Sequence, residues 1–459
     1  MSASSGVIVA APPSKSLSHR KIITSGLAKG VSTLSNVLES ADTARTMDIL
    51  SLAGATITRR GKGVFEITGI GGPPHGGTNE PLSCYLHESG TTARLLTAVL
   101  SAGNGMFRLY GVQRLHQRPM GDLFTVLETR LNVSVSYGNE PEKLPATIRA
   151  KGLVPQEGST FTPISCDVSS QFLSGLLLAA PFAAKGLTLL LIGKKAVSWP
   201  YVSLTLQAME EAGLAVAVET LANGAWRATD WRALQKAIPY ETRFIVPHGG
   251  YAPLSNEAAF VEGDYSGASY LLAAGSLGPK PVTVSGLSPL SLQGDAAILE
   301  ILRAMGAKIS WQGKNVTVTP GELNGITRDM GDCPDLVPTV AALAAFARGR
   351  TVITGVAHLT EKESDRLAAP AMELAKIGCT VNAADGCLTI TPPATKKTDG
   401  IVNFSAHNDH RMAMSLALLE LAGIGVSLDD PACVAKSFPD FWDVWKRIHS
   451  GTRIAPTGQ

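Results

Sequence analysis

The residues of this chain that could do chemistry gather at a few places. Six segments open with small polar or charged residues and run on into stretches rich in Ala, Leu, Ser and Gly. Their openings are Ser14-Lys15-Ser16, Glu88-Ser89-Gly90-Thr91-Thr92, Ser169-Ser170-Gln171, Asp264-Tyr265-Ser266, Pro334-Asp335 and Asn408-Asp409-His410-Arg411. Read as helix fronts, they present unpaired backbone N–H groups and a partial positive charge, which suits anionic oxygens. Ser, Thr, Asp and Asn are also ordinary N-cap residues, so one such front alone means only a cap. The cations shift that reading. Lys15 and Arg20 bracket the first front, Arg94 lies one turn inside the second, and Arg411 follows the sixth. Further fronts carry Arg118 before Pro119, Lys362 and Arg366 around Glu363, and Lys436 before Ser437. A cation at a helix N-terminus opposes the macrodipole at roughly 0.3–1 kcal/mol. Repeating that choice implies a bound anion, for which Arg offers a fork and Lys a point charge. Among these cations, Asp335 and Glu363 should ionise easily and could accept or carry a proton. Asp365 reads as a first-turn carboxylate and Asp409 as a cap. The set suits chemistry on phosphorylated or carboxylated small molecules in a cleft between domains.

A repeat positions these fronts. Helix-like runs end at Gly54, Asn132, Gly213, Gly306 and Gly378, each followed by a short alternating strand, at intervals of roughly 70–95 residues. Gly and Asn accept the left-handed turn that ends a helix. The small-residue helices interleave with these runs, and each is followed by a glycine and a strand. Their composition predicts largely buried helices. Six strand–helix–strand–helix–strand–strand units result, and a 459-residue α/β chain divides naturally into two groups of three.

Composition excludes other classes. Forty Lys+Arg against 38 Asp+Glu give no chain-wide reason to expect nucleic acid or an anionic membrane as partner. No stretch reaches the roughly 20 apolar residues of a spanning helix, and the start carries no export or transit pattern. Six scattered cysteines without a C-x-x-C pair predict free thiols in a reducing cytoplasm. Nine histidines without metal-site spacing predict no metal, and the absence of a Walker loop or a strand-borne G-x-G-x-x-G predicts neither ATP nor NAD.

PPSKSLSHR, SGTTARLL, QRPMGDL, VSSQFLSGLLLAAP, AVSWPYV, VEGDYSGASYLLAAG, PDLVPTVAALA, KESDRLAA, NDHRMAMSLAL and KSFPDFWD follow one another in order over nearly the whole chain. In these motifs it resembles the 5-enolpyruvylshikimate-3-phosphate synthases of the enolpyruvyl transferase family. The resemblance implies two similar domains of three βαβαββ units each, an inside-out α/β barrel architecture. The implied domains are residues 14–261 and the discontinuous pair 1–13 with 262–459, with the active site in the cleft between them. It implies transfer of the enolpyruvyl group of phosphoenolpyruvate to the 5-hydroxyl of shikimate 3-phosphate, with no metal or organic cofactor, in a monomer that closes on its substrates. Carried over by motif, Ser16, Arg20, Ser169, Ser170, Ser198 and Tyr201 would hold shikimate 3-phosphate, and Lys15 would touch both substrates. Gly90, Arg118, Gln171, Arg366, Arg411 and Lys436 would surround phosphoenolpyruvate, with Arg94 a further cation nearby. Asp335 would accept the 5-hydroxyl proton and Lys362 would orient that hydroxyl. Glu363 would handle the methylene proton, with His410 beside it.

Two positions depart from the family pattern. Glu88 stands where Asn is frequent and would weaken binding of phosphoenolpyruvate mimics such as glyphosate. His358 stands where Asn or Ser is common, four residues before Lys362. A related transferase acting on UDP-N-acetylglucosamine uses a loop cysteine, and the corresponding VQRLHQRPMGD has none. A binding protein that kept only the anion pocket is disfavoured by Lys15, Asp335, Lys362 and Glu363 occurring together.

Overall fold

The structure, a computed structural model, describes residues 6–394 and 400–450; the start of the stretch read for export signals, residues 1–5, lies outside them. The chain divides into two compact units. One spans Lys15–Val261, and the other comprises the described residues of Met1–Ser14 and Glu262–Gln459.

After β1 (Val7–Ala10), the first repeat reads α1 (Lys15–Leu27), β2 (Val31–Leu34), α2 (Ala41–Leu52), β3 (Thr56–Gly61) and β4 (Val64–Thr68). The second reads β5 (Leu82–Tyr85), α3 (Gly90–Ser101), β6 (Asn104–Tyr110), the single turn α4 (Gln113–His116), α5 (Gly121–Arg130), β7 (Ser134–Tyr137) and β8 (Ala146–Lys151). The third reads β9 (Thr162–Ser165), α6 (Gln171–Ala179), β10 (Leu187–Ile192), α7 (Trp199–Glu211), β11 (Ala217–Ala222), β12 (Ala225–Ala228) and β13 (Thr242–Val246).

In the other unit the fourth repeat is α8 (Tyr265–Leu277), β14 (Val282–Ser285), α9 (Ile298–Ala304), β15 (Lys308–Gln312) and β16 (Asn315–Thr319). The fifth is β17 (Thr327–Asp329), α10 (Val337–Ala344), β18 (Thr351–Thr354), α11 (Ala368–Ala375), β19 (Thr380–Ala384) and β20 (Cys387–Thr391). The sixth, β21 (Ile401–Phe404), α12 (His410–Ala417), β22 (Gly425–Leu428) and α13 (Phe441–Ser450), stops short, and its sheet has only the parallel pair β21–β22 among the described residues.

The complete sheets share one order. In β5-β6-β8-β7 and β17-β18-β20-β19 the first two strands run parallel and the rest antiparallel. Two sheets complete this order by exchange. The fourth repeat has no first strand of its own, and β1 supplies it, pairing parallel with β14 from Val7↔Val282 to Ala10↔Ser285. The first repeat, whose β1 is thus used elsewhere, receives residues 259–261 instead. Phe260 bridges Ser35 in parallel, and the Ser35 and Val261 N–H groups donate to the Ala259 and Ser35 carbonyls. The chain crosses between units at 14/15 and 261/262, where these exchanged strands end.

The small-residue helices are buried, as their composition predicts. Leu17–Leu27 of α1 and Tyr265–Ser276 of α8 are buried at every position. Within its unit α3 packs on α6 and α1 on α7, while α10 packs on α8 and α12 in the other. Helices buried on every side can bring their polar fronts together, because no face must remain solvated. All five pivots have left-handed backbone, from φ 54° at Asn132 to φ 120° at Gly54. Gly306 is the most constrained: at φ 106° a Cβ would lie 2.7 Å from the Glu322 carbonyl oxygen. Gly306→Ala should therefore lower unfolding stability by about 2 kcal/mol, strain and clash combined. Asn132→Gly should change it by under about 1 kcal/mol, since both residues accept the αL turn; denaturant unfolding of the two variants checks the contrast.

Candidate active site

In unit Lys15–Val261 the expected residues sit at the fronts of α1, α3, α6 and α7, with Arg118 on the turn between α4 and α5. Lys15 opens α1, and its ammonium pairs with the nearly buried carboxylate of Asp42, in the first turn of α2 behind the Ser40–Thr43 capping box. Arg20, one turn further along α1, is only 1% exposed. Its Nε donates to Thr205 Oγ1 at 2.8 Å, Nη1 to the Ser16 carbonyl at 2.9 Å, and Nη2 to the Tyr201 carbonyl at 2.8 Å and Ser174 Oγ at 3.4 Å. These partners are all neutral oxygens, and burial lowers the guanidinium pKa to about 10. Arg20 is an interior cation, because α1, α6 and α7 close over it.

Arg94 Nη1 donates to Gln171 Oε1 at 3.0 Å, and Gln171 Nε2 donates to Thr91 Oγ1 at 3.0 Å, joining the α3 and α6 fronts. The Arg94 guanidinium also lies 5.5 Å from the Phe172 ring centroid. Gly90 supports Arg118 directly: a Cβ there would fall 2.6 Å from Arg118 Cζ, so glycine lets the guanidinium rest against the helix front. Ser169 Oγ accepts the Gln171 N–H, and the Ser170 hydroxyl donates to the Ser198 carbonyl at 3.2 Å. Ser198 itself is left-handed, at φ 55°. A non-glycine residue held there stores roughly 1–3 kcal/mol and occurs mostly where function over-determines the backbone. His87 (φ 52°) is likewise left-handed just before the α3 front, and Asn408 (φ 53°), a residue that accepts this conformation, before the α12 front.

The other unit gathers the acids. Asp335, in the 3₁₀ turn entering α10, receives Arg366 Nη1 on Oδ1 at 2.8 Å and Arg411 Nη2 on Oδ2 at 2.6 Å. Arg366, 1% exposed, also donates from Nη2 to Glu363 Oε2 at 2.9 Å and from Nε to Asp409 Oδ2 at 2.7 Å. Lys436 Nζ stands 3.5 Å from Glu363 Oε1. Burial would raise the Asp335 carboxyl, but Arg411, Arg366 and then Lys362 outweigh it and hold it below the usual range. Arg366 is correspondingly raised: burial alone would lower it, but Asp409, Glu363 and Asp335 prevail. Ser266 at the α8 front bonds the Asp295 carboxylate and lies 3.5 Å from Arg411 Nη2. Burial raises Asp295 and lifts Asp264, the α8 cap, to about 6. His410, 2% exposed, has Nδ1 3.8 Å from Asp409 Oδ1.

Two sequence expectations change here. The cations do not simply await an external anion, because Lys15, Arg366, Arg411 and Lys436 already face the protein's own carboxylates. Asp409 is more than a cap. It accepts the Arg411 N–H at 2.9 Å and is also the fully buried partner of Arg366. Asp365, read as a first-turn carboxylate, lies three residues before α11, where its Oδ1 accepts the Leu367 and Ala368 N–H groups. Sequence reasoning missed Asp42, whose only signal was the capping box around it, and Ser198's backbone, which had none.

A family model for EPSP synthase (3-phosphoshikimate 1-carboxyvinyltransferase) matches residues 3–229 and 236–445. The 3-phosphoshikimate 1-carboxyvinyltransferase of Sulfurovum sp. (strain NBC37-1) is 37% identical over 440 residues, 96% of each chain. That of Nitrosomonas europaea is 38% identical over 445 residues, 95% of each. Among solved structures, EPSP synthase from Acinetobacter baumannii superposes with a TM-score of 0.72 at 23% identity, over 96% of this chain and 95% of that one. The enolpyruvyl transferase NikO from Streptomyces tendae gives 0.68 at 18%, over 97% and 95%. At these identities the superpositions establish the fold.

The buried pair Arg366–Asp409 yields a stability test. Asp409→Asn leaves Arg366 with two partly exposed carboxylates and should cost about 3 kcal/mol at neutral pH. Asp409 and Asp335 are both held below their unfolded values. Their stabilisation is therefore complete above about pH 5 and declines as pH falls below about 4. The gap between wild type and variant in denaturant unfolding should narrow over that interval.

Proposed function

The chain belongs to the EPSP synthase (3-phosphoshikimate 1-carboxyvinyltransferase) family, and on that premise we propose how its residues share the work. The reaction is the transfer of the enolpyruvyl group of phosphoenolpyruvate to the 5-hydroxyl of shikimate 3-phosphate, with release of phosphate, in the shikimate pathway. The assignment of roles rests on one observation: in a single unit, two arginines suited to a phosphate and a carboxylate stand against two acids, Asp335 and Glu363.

In this reading Arg20, Ser16, Ser169, Ser170, Ser198 and Tyr201 hold shikimate 3-phosphate, whose negative charge answers the buried Arg20. Lys15 meets both substrates. Gly90, Arg94, Arg118 and Gln171 from one unit, and Arg366, Arg411 and Lys436 from the other, bind phosphoenolpyruvate. As the O5–C2 bond forms, Asp335 takes the hydroxyl proton, Lys362 orients the hydroxyl, and Glu363, having taken up a solvent proton when phosphoenolpyruvate's anions draw Arg366 and Lys436 from it, delivers that proton to C3 with His410 at its side. The C2–O bond to phosphate then breaks, its electron pair leaves on phosphate, and Glu363 takes back a proton from the C3 methyl group. The cations stabilise the phosphate-bearing tetrahedral intermediate. Asp335, depressed by two arginines, becomes an effective base when phosphoenolpyruvate's own anions draw Arg366 and Arg411 away. The half-sites lie on different units, so turnover requires the units to close on the substrates. The six free cysteines accord with a cytoplasmic enzyme, which we take to be monomeric, and no helix among the described residues is long and apolar enough to cross a membrane.

Phosphate release with both substrates tests the reading. Asp335→Asn and Glu363→Gln should each lower kcat by about 10²–10⁴-fold, the range of general acid–base groups, with shikimate 3-phosphate affinity within about threefold of wild type. Wild-type rates from either variant would refute the assignment. Small-angle scattering should show compaction on adding shikimate 3-phosphate, and an unchanged profile would count against closure.

A further inference from the structure

His19, one turn beyond Lys15 on α1, is fully buried and none of the roles above uses it. Its Nδ1 lies 2.8 Å from Thr46 Oγ1 on α2, and Thr46 Oγ1 lies 2.9 Å from Thr92 Oγ1 in the first turn of α3. Thr92 Oγ1 contacts Ser89 Oγ at 2.7 Å and the Asp42 backbone carbonyl at 3.1 Å. Ser89 Oγ caps α3 by accepting the Thr92 N–H.

The hydrogens available settle the direction of this chain. A carbonyl only accepts, so the Thr92 hydroxyl must donate to Asp42. Thr92 Oγ1 then accepts from both Ser89 and Thr46, which uses their single hydroxyl hydrogens. Thr46 Oγ1 must accept in turn, and the only donor left is His19 Nδ1–H. With the proton on Nε2 instead, three hydrogens would have to serve four contacts and one would fail. Nε2 is buried and has no hydrogen-bond partner among the described residues, which suits a bare lone pair better than an orphaned donor. Burial, then the charge of Lys15, holds the imidazole pKa down to about 3, so the ring is neutral.

We infer that His19 is a positioning residue whose Nδ1–H begins a directed hydrogen-bond chain setting the fronts of α1, α2 and α3. The chain fastens the backbone of Asp42, the partner of Lys15, and the cap of the helix whose first residue supports Arg118. The proton on Nδ1 follows from the hydrogen-bond geometry, independently of the substrate; its consequence for turnover rests on the substrate roles proposed above.

Side-chain replacement in the full-length chain separates the positions of the two ring nitrogens. Asparagine reproduces a donor near Nδ1, whereas glutamine reaches toward Nε2. His19→Asn and Thr46→Ser should keep KM for phosphoenolpyruvate within about threefold of wild type, while His19→Gln and Thr46→Val should raise it about tenfold, the effect of one lost buried hydrogen bond. The kcat should change less than KM. The two His19 variants should unfold at similar temperatures, which sets the kinetic contrast apart from stability. Nitrogen-15 NMR of the wild type should show a protonated Nδ1 and a bare Nε2 at neutral pH. Equal impairment by Asn and Gln, or a proton on Nε2, overturns the inference. A bare Nε2 in a chain whose Asp335 and Glu363 variants turn over normally would refute the substrate assignment and leave the tautomer intact.

Discussion

Two guanidinium groups, those of Arg20 and Arg366, are each 1% exposed, and withdrawing such charges from water is costly unless something nearby answers them. The units meet this constraint differently. Around Arg366 the protein supplies the answer through Asp335, Glu363 and Asp409, drawn from the fronts of three helical segments. Around Arg20 it supplies only neutral oxygens from Ser16, Ser174, Tyr201 and Thr205. The first arrangement places acids where protons can move. In the proposed function the second leaves positive charge to be met by a substrate. The proposed division of labour between the units follows from that asymmetry.

The fold makes the arrangement possible through helices that carry no solvated face. Because α1, α3, α6, α8, α10 and α12 are composed of small and apolar residues, their fronts can converge within each unit without burying a polar stripe. The interleaved helices α2, α5, α7, α9 and α11 are the ones that end at the glycine or asparagine pivots and lead into the strands. Left-handed non-glycine backbone occurs in several turns of the chain, and at Ser198, His87 and Asn408 it falls within three residues of the start of a chemically loaded helix. These turns aim side chains that the helices alone would not.

Much of this was legible in the residues. The pivots announced themselves because Gly and Asn accept the required φ most readily, and the fronts did so because cations sit where the macrodipole disfavours them. The resemblance then supplied a role for each front. The rest depended on three-dimensional neighbours with no local signature. Asp42 looked like one more first-turn acid, and its pairing with Lys15 joins residues on two helices. Asp409 carried the mark of a cap and concealed its partnership with Arg366. The exchange by which β1 joins β14 and residues 259–261 join β2 was invisible to periodicity, since a short alternating strand such as Val7–Ala10 fits any of the sheets. Nothing local showed that α6 and α7 would close over Arg20 and bury it.

The central claim is that Arg20 is a buried charge awaiting a substrate anion, and equilibrium binding of shikimate 3-phosphate to the Arg20→Gln variant tests it most directly. Losing the charge should weaken binding about 100-fold, as expected when one partner of a desolvated charge pair is removed. The variant should unfold within about 1 kcal/mol of wild type, because an uncompensated buried charge disappears together with its hydrogen bonds. Undiminished affinity in a folded variant would contradict the claim and reduce Arg20 to a brace among α1, α6 and α7.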